Sequence, residues 1–334
     1  MLKNEIKATR NKKLIFDSEK FKKSKLTIGI LVVFMFIYLI YLIGNPKVFT
    51  RYDIYYSFMS TIPFTAIMAL PLTLIVTLGK IDLSFPSVLA FSAWVYSYVF
   101  AVTHNLWLAT LLCLLTGVIA GLLNAYLIES IRIPSIVATI GTMFFFRGLV
   151  NVCASGRGIS LVGAKGTFLY NISVERIYGV VPAQAVWMLV LGIAFWFLFN
   201  RHKFGVYVSF VGDNRESARM MGINVNAVET ICFIMMGFFS AFVAILSNLE
   251  VTYFWPSQGQ GYLMTTLAAV FIGGTSVYGG KGTIFGSFIG ALIIGTLEAG
   301  IIAIGLTGFW IELIYGLIII IAVSIYARIM PKTT

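Results

Sequence analysis

The chain has 334 residues, of which 59% are hydrophobic and only 11% are charged, and its formal net charge is +11. Soluble globular domains carry roughly 25% charged residues, so this composition excludes them and indicates a polytopic membrane protein. The positive charge does not predict nucleic-acid binding, because basic residues beside membrane spans contact the anionic lipid of the inner leaflet. Three scattered cysteines are too few for a disulfide framework.

Apolar segments near the length that a helix needs to cross a bilayer recur along the chain. The predicted fold class is therefore an all-α polytopic membrane protein with about ten transmembrane helices. Its transmembrane domain is 26–328, between a basic tail, 1–25, and a short end, 329–334. The third span follows a proline, so a re-entrant segment is the alternative there. The predicted spans are 26–43, 57–79, 85–103, 106–128, 133–153, 183–200, 226–248, 261–278, 284–304 and 308–327.

The distribution of lysine and arginine predicts the orientation in the membrane. Most of the 24 basic residues fall in the tail and in the connections on the same side as the tail. Because cytoplasmic segments are enriched in lysine and arginine, both termini are expected to be cytoplasmic. Half of this bias comes from the tail, and the loop 200–224 then lies on the cytoplasmic face.

Residues 200–224 are polar and charged between two apolar segments. Asp213 and Glu216 have the spacing of a capping box, and Gly222 can supply the left-handed residue that ends a short helix. One interpretation is a surface loop with good caps. The other is a docking helix that presents Ala218, Met220 and Met221 to a partner protein, since methionines adapt to such surfaces.

The segment KIDLSFPS, 80–87, joins the second and third spans. Asp82 or Ser84 can cap the helix that begins near Pro86, and this structural role is favoured. The functional alternative places Asp82 at the cytoplasmic mouth of a transport pathway, because acidic groups at membrane depth are costly and usually functional.

Residues 272–290 are dense in glycine without forming a phosphate-binding loop. Counting back from Gly280-Lys281 places Thr275 where such a loop needs its first glycine, and Gly282 stands where it needs a hydroxyl. Glycines at 282, 286 and 290 are four residues apart, which predicts a helix face for close packing. Tyr278-Gly279-Gly280-Lys281 is expected to form a tight cytoplasmic turn.

Ionisable residues within the predicted spans favour packing over ion coupling. An ion-coupled transporter needs such groups along its path, but Arg147, Glu298 and Glu312 are scattered, so interhelical hydrogen bonds are predicted for them. His104 and His202 have no partner at metal-ligand spacing, so no metal site is predicted. No side chain has the setting of a nucleophile, and no catalytic residue is predicted.

Four segments together resemble the permease subunit of ribose-type ATP-binding-cassette (ABC) sugar importers. They are KIDLSFPSVLAFSA (80–93), IPSIVATIGTMFFFRGL (133–149), VGDNRESARMMGINV (211–225) and GYLMTTLAAVFIGGTSVYGGKGTIFGSFIGALIIG (261–295). The chain departs from the family's usual pattern at Lys80, at Phe85-Pro86 and at Leu263, which affects the entry of the third span and the outer end of the eighth.

The resemblance implies a type II-like importer permease in the bacterial cytoplasmic (inner) membrane, moving a pentose or hexose by alternating access. Its implied partners are a second permease subunit, identical or homologous, a cytoplasmic ATPase that binds ATP and Mg²⁺, and an extracytoplasmic sugar-binding protein. This chain would bind no cofactor. An ion-coupled secondary transporter acting alone is one alternative, and a non-transporting membrane scaffold is another. Implied ATPase-coupling residues are Asp213, Asn214, Glu216, Ala218, Arg219, Met221 and Gly222; cytoplasmic loop or gate candidates are Asp82, Ser84, Gly279, Gly280, Lys281 and Gly282; helix-packing residues are Gly286 and Gly290.

Overall fold

The computed structural model describes residues 28–303 and 309–329, and these residues are mostly helical. The predicted tail 1–25 and residues 330–334 of the predicted end lie outside that description. In chain order the α-helices are α1 Ile28–Gly44, α2 Pro46–Phe49, α3 Tyr52–Thr77, α4 Phe85–Thr103, α5 Leu106–Ala125, α6 Ser135–Ala154, α7 Phe168–Val174, α8 Ala183–Asn200, α9 Lys203–Asp213, α10 Arg215–Met220, α11 Val225–Val251, α12 Tyr262–Ile272, α13 Ile284–Ala303 and α14 Phe309–Ile329.

Shorter elements complete the described chain. A single π-helical turn, Tyr126–Ser130, continues α5, and a 3₁₀ turn spans Val162–Ala164. Strand β1, Ile159–Ser160, pairs antiparallel with β4, Tyr253–Phe254, so the long connection after α6 is fastened to the end of α11. Strands β2, Arg176–Ile177, and β3, Val181–Pro182, form a small hairpin before α8.

The polytopic helical fold predicted from composition is confirmed. Six of the described helices are long and apolar enough to cross a membrane: α3, α4, α5 with its π turn, α6, α8 and α11. The predicted third span is the continuous 19-residue helix α4. Helix α3 lies at the centre, since most of its side chains are buried by neighbouring helices despite two internal prolines.

The eighth predicted span, 261–278, is wrong in length. Helix α12 has 11 residues, which corresponds to about 16 Å and cannot cross the hydrocarbon layer alone. The helix ends at Gly273-Gly274, where Gly274 has the left-handed φ of +79°. The following non-helical residues fold back to the start of α13.

Glycines allow two close helix crossings. A Cβ atom at Gly117 on α5 would lie 2.2 Å from the carbonyl oxygen of Gly237 on α11. Similarly, a Cβ atom at Gly286 on α13 would lie 2.0 Å from the carbonyl oxygen of Gly273, and one at Gly290 would lie 2.1 Å from that of Ala269. Small residues are typical of such membrane-helix contacts.

One detail of the predicted glycine face needs correction. Gly282 does not share the helix face of Gly286, because α13 begins only at Ile284; a Cβ atom at Gly282 would instead lie 2.0 Å from Oγ1 of Thr77. Ser287, the residue after Gly286, is buried, and its hydroxyl accepts a 2.7 Å hydrogen bond from Thr73 on α3.

Candidate functional site

Helix α10 begins with a different cap from the one the sequence predicts. Asn214 has extended backbone angles, and its side-chain oxygen accepts a 2.9 Å hydrogen bond from the amide of Ser217. Asp213 is the last residue of α9, so the predicted capping box of Asp213 and Glu216 is wrong. Glu216 instead accepts a 3.1 Å bond from Arg219 on the protein surface.

The predicted carboxyl-terminal cap of α10 is confirmed. Gly222 has a φ of +81°, which a side chain would strain. The amide of Gly222 donates to the carbonyl of Arg219, and the amide of Ile223 donates to that of Ala218. These two bonds form a Schellman motif, which satisfies carbonyls that the end of a helix leaves open.

Helix α10 has a buried side and an exposed side. Ala218 is fully buried, whereas Met220 is 82% exposed and Met221 is 56% exposed. The predicted face that combined all three residues is therefore wrong for Ala218, which anchors the helix to the rest of the protein. The two methionines form an exposed apolar surface, and docking of a partner there stays a prediction.

Four ionisable side chains meet beside α10, and we call Lys80, Glu129, Arg215 and Glu229 the charge cluster. The Lys80 Nζ atom lies 2.6 Å from Glu229 Oε2, and Arg215 Nη2 lies 2.9 Å from the same oxygen. Lys80 and Arg215 each also pair with Glu129. The two carboxylate side chains are 4% and 1% exposed, so both ion-paired glutamates are inside the protein.

The charge cluster joins four separate elements. Lys80 lies in the connection between α3 and α4, Glu129 in the π turn, Arg215 at the first position of α10, and Glu229 in the second turn of α11. Each glutamate pairs with both cations, so the surface helix α10 is tied directly to elements that continue into membrane-spanning helices.

The charge cluster is not among the features predicted from the sequence. Lys80 stands out there only as a departure from the resembling family, and Glu129 and Glu229 belong to none of the predicted sites. A signal was present, because Glu229 lies within the predicted span 226–248, and acidic residues inside spans usually pair with a nearby cation. The partners come from distant parts of the sequence, so spacing alone could not identify them.

Backbone contacts fasten the predicted gate residues to the same end of the molecule. The amide of Gly280 donates a 2.8 Å hydrogen bond to the carbonyl of Thr77 at the end of α3. A Cβ atom at Gly212 on α9 would lie 1.8 Å from that carbonyl oxygen, and one at Gly279 would lie 2.7 Å from the carbonyl oxygen of Gly212. Lys281 is exposed at the adjoining turn.

Asp82 and Ser84 start a buried hydrogen-bond chain. The Asp82 carboxylate accepts bonds from the amide and the hydroxyl of Ser84, at 2.8 and 2.7 Å. Asn124 on α5 donates to the Ser84 hydroxyl and accepts from Thr142 on α6. Burial raises the pKa of the Asp82 carboxyl, and the bonds from Ser84 oppose that rise. Ser84 is the N-cap residue of α4 without a side-chain capping bond, so of the two predicted capping residues Ser84 is wrong, whereas Asp82 accepts the amide of Ser84 at the start of the helix.

An open cavity of about 430 Å³ adjoins the charge cluster. Its walls include Lys80, Glu129 and Arg215, together with Arg132 and Arg219. The cavity lies between α10 and the start of α6, so the charge cluster is reached from the surface beside α10.

Two of the other ionisable residues predicted within spans, Arg147 and Glu298, have structural contacts. Arg147 on α6 donates to the carbonyl oxygens of Pro256 and Gln258, which fixes the connection between α11 and α12. Glu298 on α13 accepts a hydrogen bond from Tyr315 on α14, as predicted for an interhelical bond. Glu312 is exposed in the first turn of α14.

Comparison with known proteins gives consistent matches over most of the chain. Residues 54–323 match the family described as "Branched-chain amino acid transport system / permease component". The chain is 29% identical over 282 residues to the ribose import permease protein RbsC of Escherichia coli, covering 84% of this chain and 87% of the relative. It is 32% identical over 287 residues to the autoinducer 2 import system permease protein LsrD of Salmonella typhi, covering 84% of each. No solved structure matches.

Proposed function

Because the chain belongs to the family of branched-chain amino acid transport system permease components, we propose that it is the membrane-spanning subunit of an ATP-driven importer of a small sugar. The membership covers residues 54–323 and is the observation on which the proposal depends. It confirms the resemblance to importer permeases. Relatives named for ribose and autoinducer 2 import favour a small polyhydroxylated solute of the pentose or hexose class.

The proposed orientation places α10 and the charge cluster on the cytoplasmic side, with both termini there as well. Helix α10 is then the coupling helix of the loop 200–224, and its exposed methionines contact a cytoplasmic ATPase that binds ATP and Mg²⁺. The connections that contain the paired strands β1 to β4, at the opposite end of the molecule, face an extracytoplasmic sugar-binding protein. A second permease subunit, identical or homologous, completes the path.

The proposed mechanism is alternating access driven from the cytoplasmic side. When the ATPase subunits close on ATP, they displace α10, and the two permease subunits open outward to receive sugar from the binding protein. Hydrolysis reverses the movement and opens the path inward. Nothing in this cycle requires a chemical step on the permease, which is consistent with a non-catalytic subunit.

Transport by the reconstituted complex tests this function. The permease is purified from native membranes with its co-eluting ATPase and binding protein and is placed in proteoliposomes with radiolabelled pentoses or hexoses outside. We expect uptake that needs ATP inside and continues with a protonophore or without sodium. Accumulation driven by a proton or sodium gradient without ATP would replace this proposal with the ion-coupled alternative, and absence of a co-eluting ATPase would count against it.

A further inference from the structure

We propose that the charge cluster transmits the movement of α10 to α5 and α11, with Arg215 as the moving contact and Lys80 as a positioning residue that holds both carboxylates. This inference rests on the proposed function, since it concerns how an ATPase at α10 acts on the membrane helices. It assigns the buried pairs a part in transport beyond their part in folding.

Charge balance is the first reason. The charge cluster holds two cations and two carboxylates, so it is formally neutral. If α10 moved away alone, Arg215 would leave one excess negative charge among carboxylates that are at most 4% exposed. A buried charge without its partner is strongly unfavourable. The π turn and the start of α11 are therefore expected to follow α10 when it moves.

The graded exposure of the two cations is the second reason. The Arg215 side chain is 40% exposed and belongs to a surface helix, whereas the Lys80 side chain is 12% exposed and lies deeper. Lys80 bridges Glu129 and Glu229 from the connection between α3 and α4, so it keeps the carboxylates together. Arg215 reaches the same two groups from the side of α10.

The remaining contacts of α10 separate the roles of its charged residues. Arg219 pairs with Glu216 three residues earlier on the same helix, and both are exposed, so this pair fixes nothing outside α10. Arg215 also donates to Asn226 at the start of α11, at 3.4 Å. Within the described residues, Arg215 is the cation of α10 that pairs with carboxylates of other helices.

Substitution of Arg215 by Met tests the proposal in the complete complex. We expect Arg215→Met to reduce ATP-driven sugar uptake at least tenfold and to abolish stimulation of ATP hydrolysis by the sugar-loaded binding protein. Co-purification of the ATPase should not change. The matched control is Arg51→Met, which removes an exposed pair with Asp53 far from α10 and should keep uptake and stimulation at the unsubstituted level.

A second variant distinguishes a role of the charge cluster in transmitting movement from a role in charge balance alone. Arg215→Met combined with Glu229→Gln restores a neutral group of Lys80 and Glu129. The double variant should be more thermally stable than Arg215→Met, and it should assemble with the ATPase as the unsubstituted permease does. Uptake should stay at least tenfold reduced, because α10 still has no ion pair with Glu129 and no charged contact with residue 229. Recovery of uptake by the double variant would overturn the proposal and leave the cluster a structural role alone.

A conservative variant gives the complementary result. Arg215→Lys keeps the positive charge, so uptake should exceed that of Arg215→Met by at least threefold. Equal uptake in the Met, Lys and unsubstituted complexes would also overturn the inference. The unsubstituted complex distinguishes failure of the proposed function from failure of this inference. If the unsubstituted complex does not import sugar with ATP, the proposed function fails. If the unsubstituted and Arg215→Met complexes both import sugar normally, only the inference fails.

Discussion

The contact between α12 and α13 gives the sharpest prediction of stability. At Gly286, an added Cβ atom would lie 2.0 Å from the carbonyl oxygen of Gly273, whereas ordinary contacts between heavy atoms lie at about 3.5 Å. The obstacle is backbone, so no side chain can rotate away. Gly286→Ala therefore requires the two helices to separate by roughly 1.5 Å at this point.

The free-energy cost of Gly286→Ala follows from the contacts that the separation of α12 and α13 disturbs. Overpacking a close-packed interior typically costs about 1–3 kcal/mol, and contact with rigid backbone places Gly286→Ala near the upper value. The separation also strains the hydrogen bond between Thr73 and Ser287, which lies one residue beyond Gly286. We expect a loss of about 3 kcal/mol in the free energy of unfolding.

Gly141→Ala on α6 is the matched control. Gly141 is exposed, and an added Cβ atom has no neighbour within 4 Å. Alanine favours helix by up to about 1 kcal/mol over glycine, so this variant should be as stable as the original or slightly more stable. Thermal unfolding of both proteins in the same detergent measures the difference. Equal midpoints, or a higher midpoint for Gly286→Ala, would refute the close contact.

The remaining predictions concern α10 and the energy source. Gly222→Val should insert normally and lose sugar uptake, because valine opposes the φ of +81° that ends the helix; full uptake in a well-expressed variant would contradict the coupling role. Asn214→Ala should destabilise α10 by about 1 kcal/mol and speed amide exchange at Ser217, whereas Glu216→Ala should not; similar exchange in both variants would reject the observed cap. Glu298→Gln should keep ATP-driven uptake, since glutamine can still accept the bond from Tyr315, and loss of uptake in an intact complex would favour ion coupling.

The sequence predicts the helices well because each membrane-spanning helix is marked by the apolar composition of its own segment. An apolar run of sufficient length is required of any spanning helix, and each of the ten predicted segments corresponds to a helix in the described residues. The failure at 261–278 has a local physical cause. Its composition is mostly apolar, but Gly273-Gly274 end the helix after Ile272, and an average over the segment does not register this stop.

The candidate site could be predicted only in part, because features set by neighbouring residues can be inferred from the sequence, whereas contacts between distant residues cannot. The Schellman end of α10 depends on neighbouring residues and was predicted from Gly222. At the other end of α10, the observed N-cap residue is Asn214, one residue after the predicted Asp213. Both are good capping residues, and the extent of α9 decides between them. Lys80 and Glu229 are distant in sequence, so their pairing depends on how α3, α5 and α11 pack.

A helix of six residues is too short to be stable through its own hydrogen bonds, because nucleation is costly and few bonds follow it. Helix α10 therefore depends on its caps, on the buried methyl group of Ala218 and on the ion pairs of Arg215. The caps keep its ends fixed, but they do not attach it to the membrane helices. Ala218 and Arg215 provide that attachment, and among the described contacts of α10 it is Arg215 that reaches the π turn of α5 and the start of α11 through buried carboxylates. A force applied to Met220 and Met221 is thus expected to reach the membrane helices mainly through the opposite side of the same short helix.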